Sequence, residues 1–377
     1  MKVIVGSGIA ALWCAEHLKN SGDEIIVLEK DAIGSGQTIA SQGMIHGGTK
    51  YSLDGSLARS TIAISEMPEI WRNALNGIGS VDLSKSKILT DSQVLWSLGG
   101  LPSRLAGFFG SKVMSSKMKL IEPMDHDAFI SPSFKGSLFE LNEPVVDVQS
   151  VLVNLTSNLS GRIFKATVKS IISESGKITG VVTDQGIIKG DEVILAAGEG
   201  NAQILQNSGI ASFPMQIRPL AMGMVFMKTK IPDIYGHQLG ASNRPVVTVS
   251  THYAGDQQVL YVGGVVAESG VGLCDADQKQ AIKTSIEKAL HWLDLDIEHI
   301  EILRINRAEP KLNSIIKPDS YFCGHKPGLI VCWPTKLAFA PALASDVAEL
   351  CIKSDGDSVN TIGLTTAQIA EYPWVIN

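Results

Sequence analysis

The chain carries only five cysteines among its 377 residues, an odd number with no C-x-x-C pair. That spacing excludes a disulfide framework and a thiolate zinc site, and it points to a reducing compartment. The eight histidines form no H-x-x-x-H or carboxylate-paired pattern, so no metal is expected. No apolar run reaches the roughly 18 to 20 residues that span a bilayer, and a first strand beginning at Lys2 leaves no space for a leader peptide. The expected location is cytoplasmic, with peripheral membrane contact left open. Lysines and arginines are scattered, the net charge is −6 and the pI is near 5.8. Without a basic stripe or a basic aromatic platform, nucleic acid is not an expected partner. Internal repeats and low-complexity tracts are not evident either. What remains is 45% hydrophobic and 19% charged residues, enough for a sizeable core in one large or two ordinary domains.

The informative stretch lies at the start. Lys2 to Val5 reads as a buried strand, followed by Gly6-Ser7-Gly8-Ile9-Ala10-Ala11 and a helix to Asn20. Gly6 suits the tight turn, Gly8 lets the backbone approach a pyrophosphate, and Ala11 permits close helix–strand packing. The helix directs its N-terminal amides and positive dipole end at the phosphates. A second apolar strand, Ile25-Ile-Val-Leu-Glu29, ends on a carboxylate placed for a ribose hydroxyl pair, which disfavours a 2′-phosphate. The pattern is that of a dinucleotide-binding βαβ unit.

Further along, Gly34 to Asp54 is a long Gly-, Ser- and Thr-rich loop of the kind that is usually functional. Leu57 to Leu75 reads as a helix. Gly77 to Glu143 is broken by turns, with strand candidates Lys87–Thr90 and Ser137–Glu140, and reads as a separate layer. A helix from Val148 to Leu159, a strand from Arg162, and a hairpin around Ser175-Gly176 lead to Asp191–Gly198, a buried strand ending Ala-Ala-Gly. This return makes the nucleotide domain discontinuous: residues 1–76, 145–212 and 325–377, with 77–144 and 213–324 forming a substrate domain. Met215 to Met227 and Val246 to Val266 turn to β, an amphipathic helix starts with Asp275 as N-cap, and a strand Gly328–Cys332 runs into Trp333-Pro334-Thr335-Lys336-Leu337 and a final helix.

The loop Ser35-Gly36-Gln37-Thr38 … Gly43-Met44-Ile45-His46, continuing to Gly55-Ser-Leu, resembles the FAD-dependent oxidoreductases of the D-amino-acid oxidase superfamily. It is most similar to the L-2-hydroxyglutarate and anaerobic glycerol-3-phosphate dehydrogenase branch. The resemblance implies an α/β fold with a discontinuous Rossmann-like FAD domain and a second, largely antiparallel mixed-sheet substrate domain. It implies that Gly6, Ser7, Gly8, Ile9 and Ala10 line the FAD pyrophosphate and that Glu29 and Lys30 lie at the adenosine ribose. Val168 would meet the adenine, and Ala197 and Gly198 would flank the nucleotide. Thr38, Ser41, Gln42 and Gly43 would follow the ribityl chain, with Ile45 and His46 at the isoalloxazine ring. Pro334, Thr335, Lys336 and Leu337 are similar to the C-terminal flavin loop of the sarcosine-oxidase branch. Departures at Ser41, Lys50 and Trp333–Lys336 leave the substrate untransferred.

A flavin that oxidises a C–H bond needs the carbon held within about 3 to 3.5 Å of its acceptor atom, a partner for the departing proton and nearby positive charge. His46 is the first candidate base, against a structural role in the flavin loop. His252, beside Tyr253 at the end of a β segment, is the reserve base, against a plain hairpin-end residue. Lys336 and Arg307 would orient an anion, with Arg218 and Arg244 as further candidates, each against a surface ion pair. The expected reaction is hydride removal from a small anionic 2-hydroxy acid or polyol phosphate. An amine or amino-acid oxidase is the first alternative, and a non-catalytic or RNA-modifying flavoprotein the second. Oxygen, a quinone or a protein all stay open as electron acceptor.

Overall fold

A computed structural model describes residues 1–48, 59–99, 118–240, 244–311, 321–352 and 363–375, with side chains of the helix Arg59–Leu75 from Ile64 onward. Lys50, Tyr51 and Gly55-Ser-Leu of the cofactor loop lie outside them. The strands Lys2–Val5 and Ile25–Glu29 pair in parallel, Lys2 opposite Ile25 and Val5 opposite Leu28, because the helix Ile9–Asn20 returns the chain to the same end of the sheet. Six strands make this sheet, in the order Phe322–Lys326, Leu329–Trp333, Glu192–Leu195, Lys2–Val5, Ile25–Glu29 and Ile163–Lys165. The strands Lys2–Val5 and Glu192–Leu195 are buried at every position, the mark of a sheet covered on both faces. Beneath it Trp13 packs on Trp71 at 4.6 Å between ring centroids, and Trp71 Nε1 donates to Ala338 O at 3.0 Å.

The second sheet has eight strands, in the order Ile297–Pro310, Met215–Met227, Gln257–Gly263, Pro245–Ala254, Tyr235–Leu239, Gln93–Leu98, Gly136–Leu141 and Met118–Ile121. Neighbours are antiparallel except Tyr235–Leu239 and Gln93–Leu98, which run parallel. The fold is thus α/β, a Rossmann-like layer joined to a largely antiparallel mixed sheet. The middle segment is not a separate layer: Gln93–Leu98, buried over most of its length, extends the large sheet by pairing with a strand more than a hundred residues away. No local pattern reports such a partner. The helix Asp275–Ala289 covers this sheet with Ile282, Ile286 and Ala289, and its N-cap is Cys274 rather than Asp275. Asp275 and Asp277 instead stand in the first turn, where the helix dipole favours them.

Candidate active site

A cavity of about 1180 Å³ opens at the carboxyl ends of the parallel strands, the usual ligand position in an open α/β sheet. It exceeds the roughly 300 to 1,000 Å³ of ordinary small-molecule sites. Pro219, Leu220, Met222 and Ile305, from two strands of the large sheet, form its far wall.

The near wall is mostly backbone. Gly6 has φ +97°, and a Cβ there would stand 2.8 Å from Ala196 O, so only glycine makes this turn. Gly8 caps the first helix, whose first-turn amides have no intrahelical acceptor. The Ile9 N–H donates to Thr38 Oγ1 at 3.1 Å, fastening the Ser-Gly-Gln-Thr loop to the helix start. Glu29 is buried with its carboxylate in place: Oε2 accepts from Ser7 N–H at 2.9 Å and Ser7 Oγ–H at 2.6 Å, and Oε1 from Asp31 N–H at 2.8 Å. Ala10 also lines the cavity, and Lys30, exposed beside Asp31, stands at its rim.

The structure brings Val168, Ala197 and Gly198 to the same cavity. Ser41, Gln42 and Gly43 line it too, and Gln42 Nε2 donates to Tyr261 O at 2.8 Å. Pro334, Thr335, Lys336 and Leu337 complete that side, with Lys336 Nζ 5.8 Å from the Phe339 ring centroid. Ser41 Oγ and Thr335 Oγ1 are buried without a hydrogen-bond partner among the described residues. Buried hydroxyls left unmatched are costly, so a polar ligand at these two positions is what the wall lacks. Together with Glu29 and the helix amides, the donor and acceptor set fits a flavin dinucleotide.

His46 lines the cavity, with Nδ1 3.6 Å from Glu143 Oε2. The Glu143 side chain is only 4% exposed. The His46 ring also lies 5.3 Å from that of His237. His237 Nε2 stands 3.2 Å from Gln93 Oε1, which can only accept, so Nε2 carries a proton; Nδ1 meets Thr248 Oγ1 at 2.9 Å. Glu143 and His237 were not foreseen. The one hint for Glu143 was a carboxylate set between the strand Gly136–Leu141 and the apolar Pro144-Val145-Val146.

Arg307 lines the cavity and pairs with buried Glu309 at 3.1 Å. Arg218 bridges Glu309 at 3.6 Å and Glu268 at 3.5 Å, and Arg244 also pairs with Glu268. These arginines form a ladder of three guanidinium groups and two carboxylates, half-buried at Arg218 and Arg307 and exposed at Arg244, where the surface-pair reading holds.

Four expected residues do not line the cavity: Arg218 and Arg244, which belong to that ladder, and Ile45 and His252. Ile45 is fully buried in the core, because extended backbone alternates: Met44 and His46 face the cavity and Ile45 faces away. His252 is buried against Trp374, ring centroids 4.2 Å apart, with Nε2 2.9 Å from Ser250 Oγ. Burial pushes its pKa down to about 3, so it stays neutral and is no reserve base. Among the described residues no cluster of three His, Cys, Asp or Glu side chains could hold a metal ion, and no helix is long and apolar enough to cross a membrane.

The chain belongs to the family described as FAD dependent oxidoreductase, whose model matches residues 2–349. It is therefore an enzyme whose cofactor is FAD. The probable FAD-dependent oxidoreductase PA4991 of Pseudomonas aeruginosa is 37% identical over 360 residues, covering 95% of this chain and 91% of that protein. Its crystal structure superposes with a TM-score of 0.83 at 31% identity, over 99% of this chain and 96% of the other. Glycine oxidase from Geobacillus kaustophilus superposes with a TM-score of 0.67 at 13% identity, over 93% of both chains. L-proline dehydrogenase from P. horikoshii does so at 0.65 and 18%, over 93% and 92%. At these lower identities the likeness is one of fold.

Proposed function

We propose that this enzyme oxidises the hydroxyl-bearing carbon of a small anionic 2-hydroxy acid or polyol phosphate, with His46 as the base. One observation carries the reading: an imidazole in the cavity wall with a buried carboxylate 3.6 Å behind it. The similarity of Ser35–His46 to the L-2-hydroxyglutarate and anaerobic glycerol-3-phosphate dehydrogenase branch supports it. FAD, when bound, supplies the acceptor for the hydride. His46 takes the hydroxyl proton, so the C–O bond becomes a carbonyl as the C–H bond is lost. Arg307 and Lys336, lining the same cavity, hold the substrate anion and fix which carbon is presented.

The test is anaerobic mixing of the holoenzyme with hydroxy acids, polyol phosphates, amines and amino acids, read as bleaching of the flavin band. Hydroxy acids or polyol phosphates are expected to bleach it. The variant His46→Asn is expected to keep its flavin and lose roughly 10²- to 10⁴-fold in kcat/KM, the usual contribution of a general base. Lys336 in the C-terminal loop favours a second reading, an amine or amino-acid oxidase, since a neutral amine gives up hydride without a dedicated base. Bleaching by amines alone, with an unchanged pH profile in His46→Asn, would establish that reading instead.

A further inference from the structure

The segment around Glu143 is stitched to the His46 loop. Val146 N–H donates to Gly43 O at 3.0 Å and Ile45 N–H to Pro144 O at 2.9 Å, with an antiparallel bridge between Met44 and Val145. This short ladder fixes residue 143 opposite residues 46 and 47. Gly47 then has to be small: a Cβ there would stand 2.9 Å from Pro68 Cγ and 3.1 Å from Glu143 Oε1. The side chain of Glu143 fills that space and brings Oε2 to 3.6 Å from His46 Nδ1.

We propose that Glu143 is a positioning residue for the His46 reaction: its carboxylate holds the proton of neutral His46 on Nδ1 and presents Nε2 to the substrate hydroxyl. This inference rests on the reading of His46 as the base. Which ring nitrogen carries the proton is set by the partner of the other, and an ionised carboxylate is an acceptor only. When His46 takes the substrate proton, both nitrogens carry hydrogen and the imidazolium lies against a buried anion, which stabilises that state. The distance of 3.6 Å is that of an ion pair, longer than a hydrogen bond, and catalytic contacts commonly tighten when substrate binds.

The other charged or titratable groups around His46 are limited in what they supply. His237 packs on its ring but is engaged by Gln93 and Thr248. Tyr235, packed on Met44 and Val145, has its phenol pKa raised by burial and stays neutral. Arg307, on the opposite side of the same cavity, is already met by Glu309, whereas Lys336 is a cation that works against a protonated imidazole. Glu143 is the carboxylate at ion-pair distance from His46.

The experiment uses holoenzyme labelled with ¹⁵N-histidine, with the His46 signals assigned by their loss in His46→Asn. In the wild type above the titration of His46, Nδ1 is expected to be protonated and Nε2 bare. Glu143→Gln is expected to keep its flavin spectrum, lose at least 100-fold in kcat/KM with little change in KM, and move the acid limb of the pH–rate profile to lower pH. Glu143→Asp, which keeps the charge, is expected to keep the tautomer and the limb while losing about tenfold. A wild-type Nε2–H tautomer overturns the inference whatever the substrate is. So does an acid limb that stays in place in Glu143→Gln or, should that variant lose its flavin, one that moves in Glu143→Asp. An Nδ1–H tautomer alongside full turnover of His46→Asn removes the base reading itself, and the inference falls with it.

Discussion

The two walls of the cavity are built in different ways. The wall for the nucleotide comes from the first forty-odd residues and two strand ends, and most of its polar atoms are backbone: the turn at Gly6, the amides at the start of Ile9–Asn20, the loop fastened through Thr38. The wall proposed to face the substrate is assembled from side chains far apart in the chain, His46, Arg307 and Lys336, with Glu143 behind His46, brought together by the eight-stranded sheet and the last parallel strand. Backbone recognition is tied to a fold and tolerates little local change. Side-chain recognition can be rewritten one residue at a time.

Three substitutions break or sharpen that contrast, apart from those at His46 and Glu143. The largest effect belongs to Gly6→Val, which forces a β-branched side chain into a left-handed turn already in contact with Ala196 O. FAD uptake, followed by absorbance after gel filtration, is expected to fall by roughly 10³-fold or more; normal uptake would end the claim that backbone builds this wall. Glu29→Ala comes next, because it removes the acceptor for Ser7 N–H, Ser7 Oγ–H and Asp31 N–H together. At about 1.5 to 3 kcal/mol for a hydrogen bond to a charged group, FAD titration should show a Kd raised by roughly 10- to 100-fold, with kcat at saturating FAD little changed. A fall in kcat alone would place Glu29 on the wall proposed to face the substrate instead.

The smallest effect concerns His252, which lies behind the cavity. Its folded pKa is pushed down to about 3, below the unfolded value near 6.5. As pH drops through that window the unfolded chain takes up a proton that the folded chain refuses, so stability falls. Melting temperatures at pH 7 and pH 5 should therefore differ more in the wild type than in His252→Gln, with turnover at pH 7 retained in both. Equal slopes would mean that His252 is protonated in the fold.

How much of this was legible follows the same division. The βαβ opening, the Ser35–His46 loop and the strand ending Ala197-Gly198 carry their meaning in local order, since turn glycines, helix starts and strand ends are specified by neighbours. His46 was legible because it belongs to such a loop. Glu143 was not, since its role comes from a bridge between residues 44 and 145, which no periodicity reports. Ile45 and His252 were placed at the site because sequence gives position along a strand and not the face that ends up covered. What covers His252 is Trp374, stacked in turn on Tyr372 at 4.5 Å. The strand Gln93–Leu98 likewise waited on a distant partner before its layer could be assigned.

The stitch between residues 43–45 and 144–146 has one more consequence. It closes the excursion of about a hundred residues at its foot, so His46 and Glu143 are held by the two ends of a loop. Lengthening a closed loop costs little, only about 0.6 kcal/mol for each doubling. The exposed turn at Pro123–Asp125 can accordingly change length while His46 and Glu143 stay in register, whereas Gln93–Leu98 and Gly136–Leu141, which pair inside the large sheet, have to be kept.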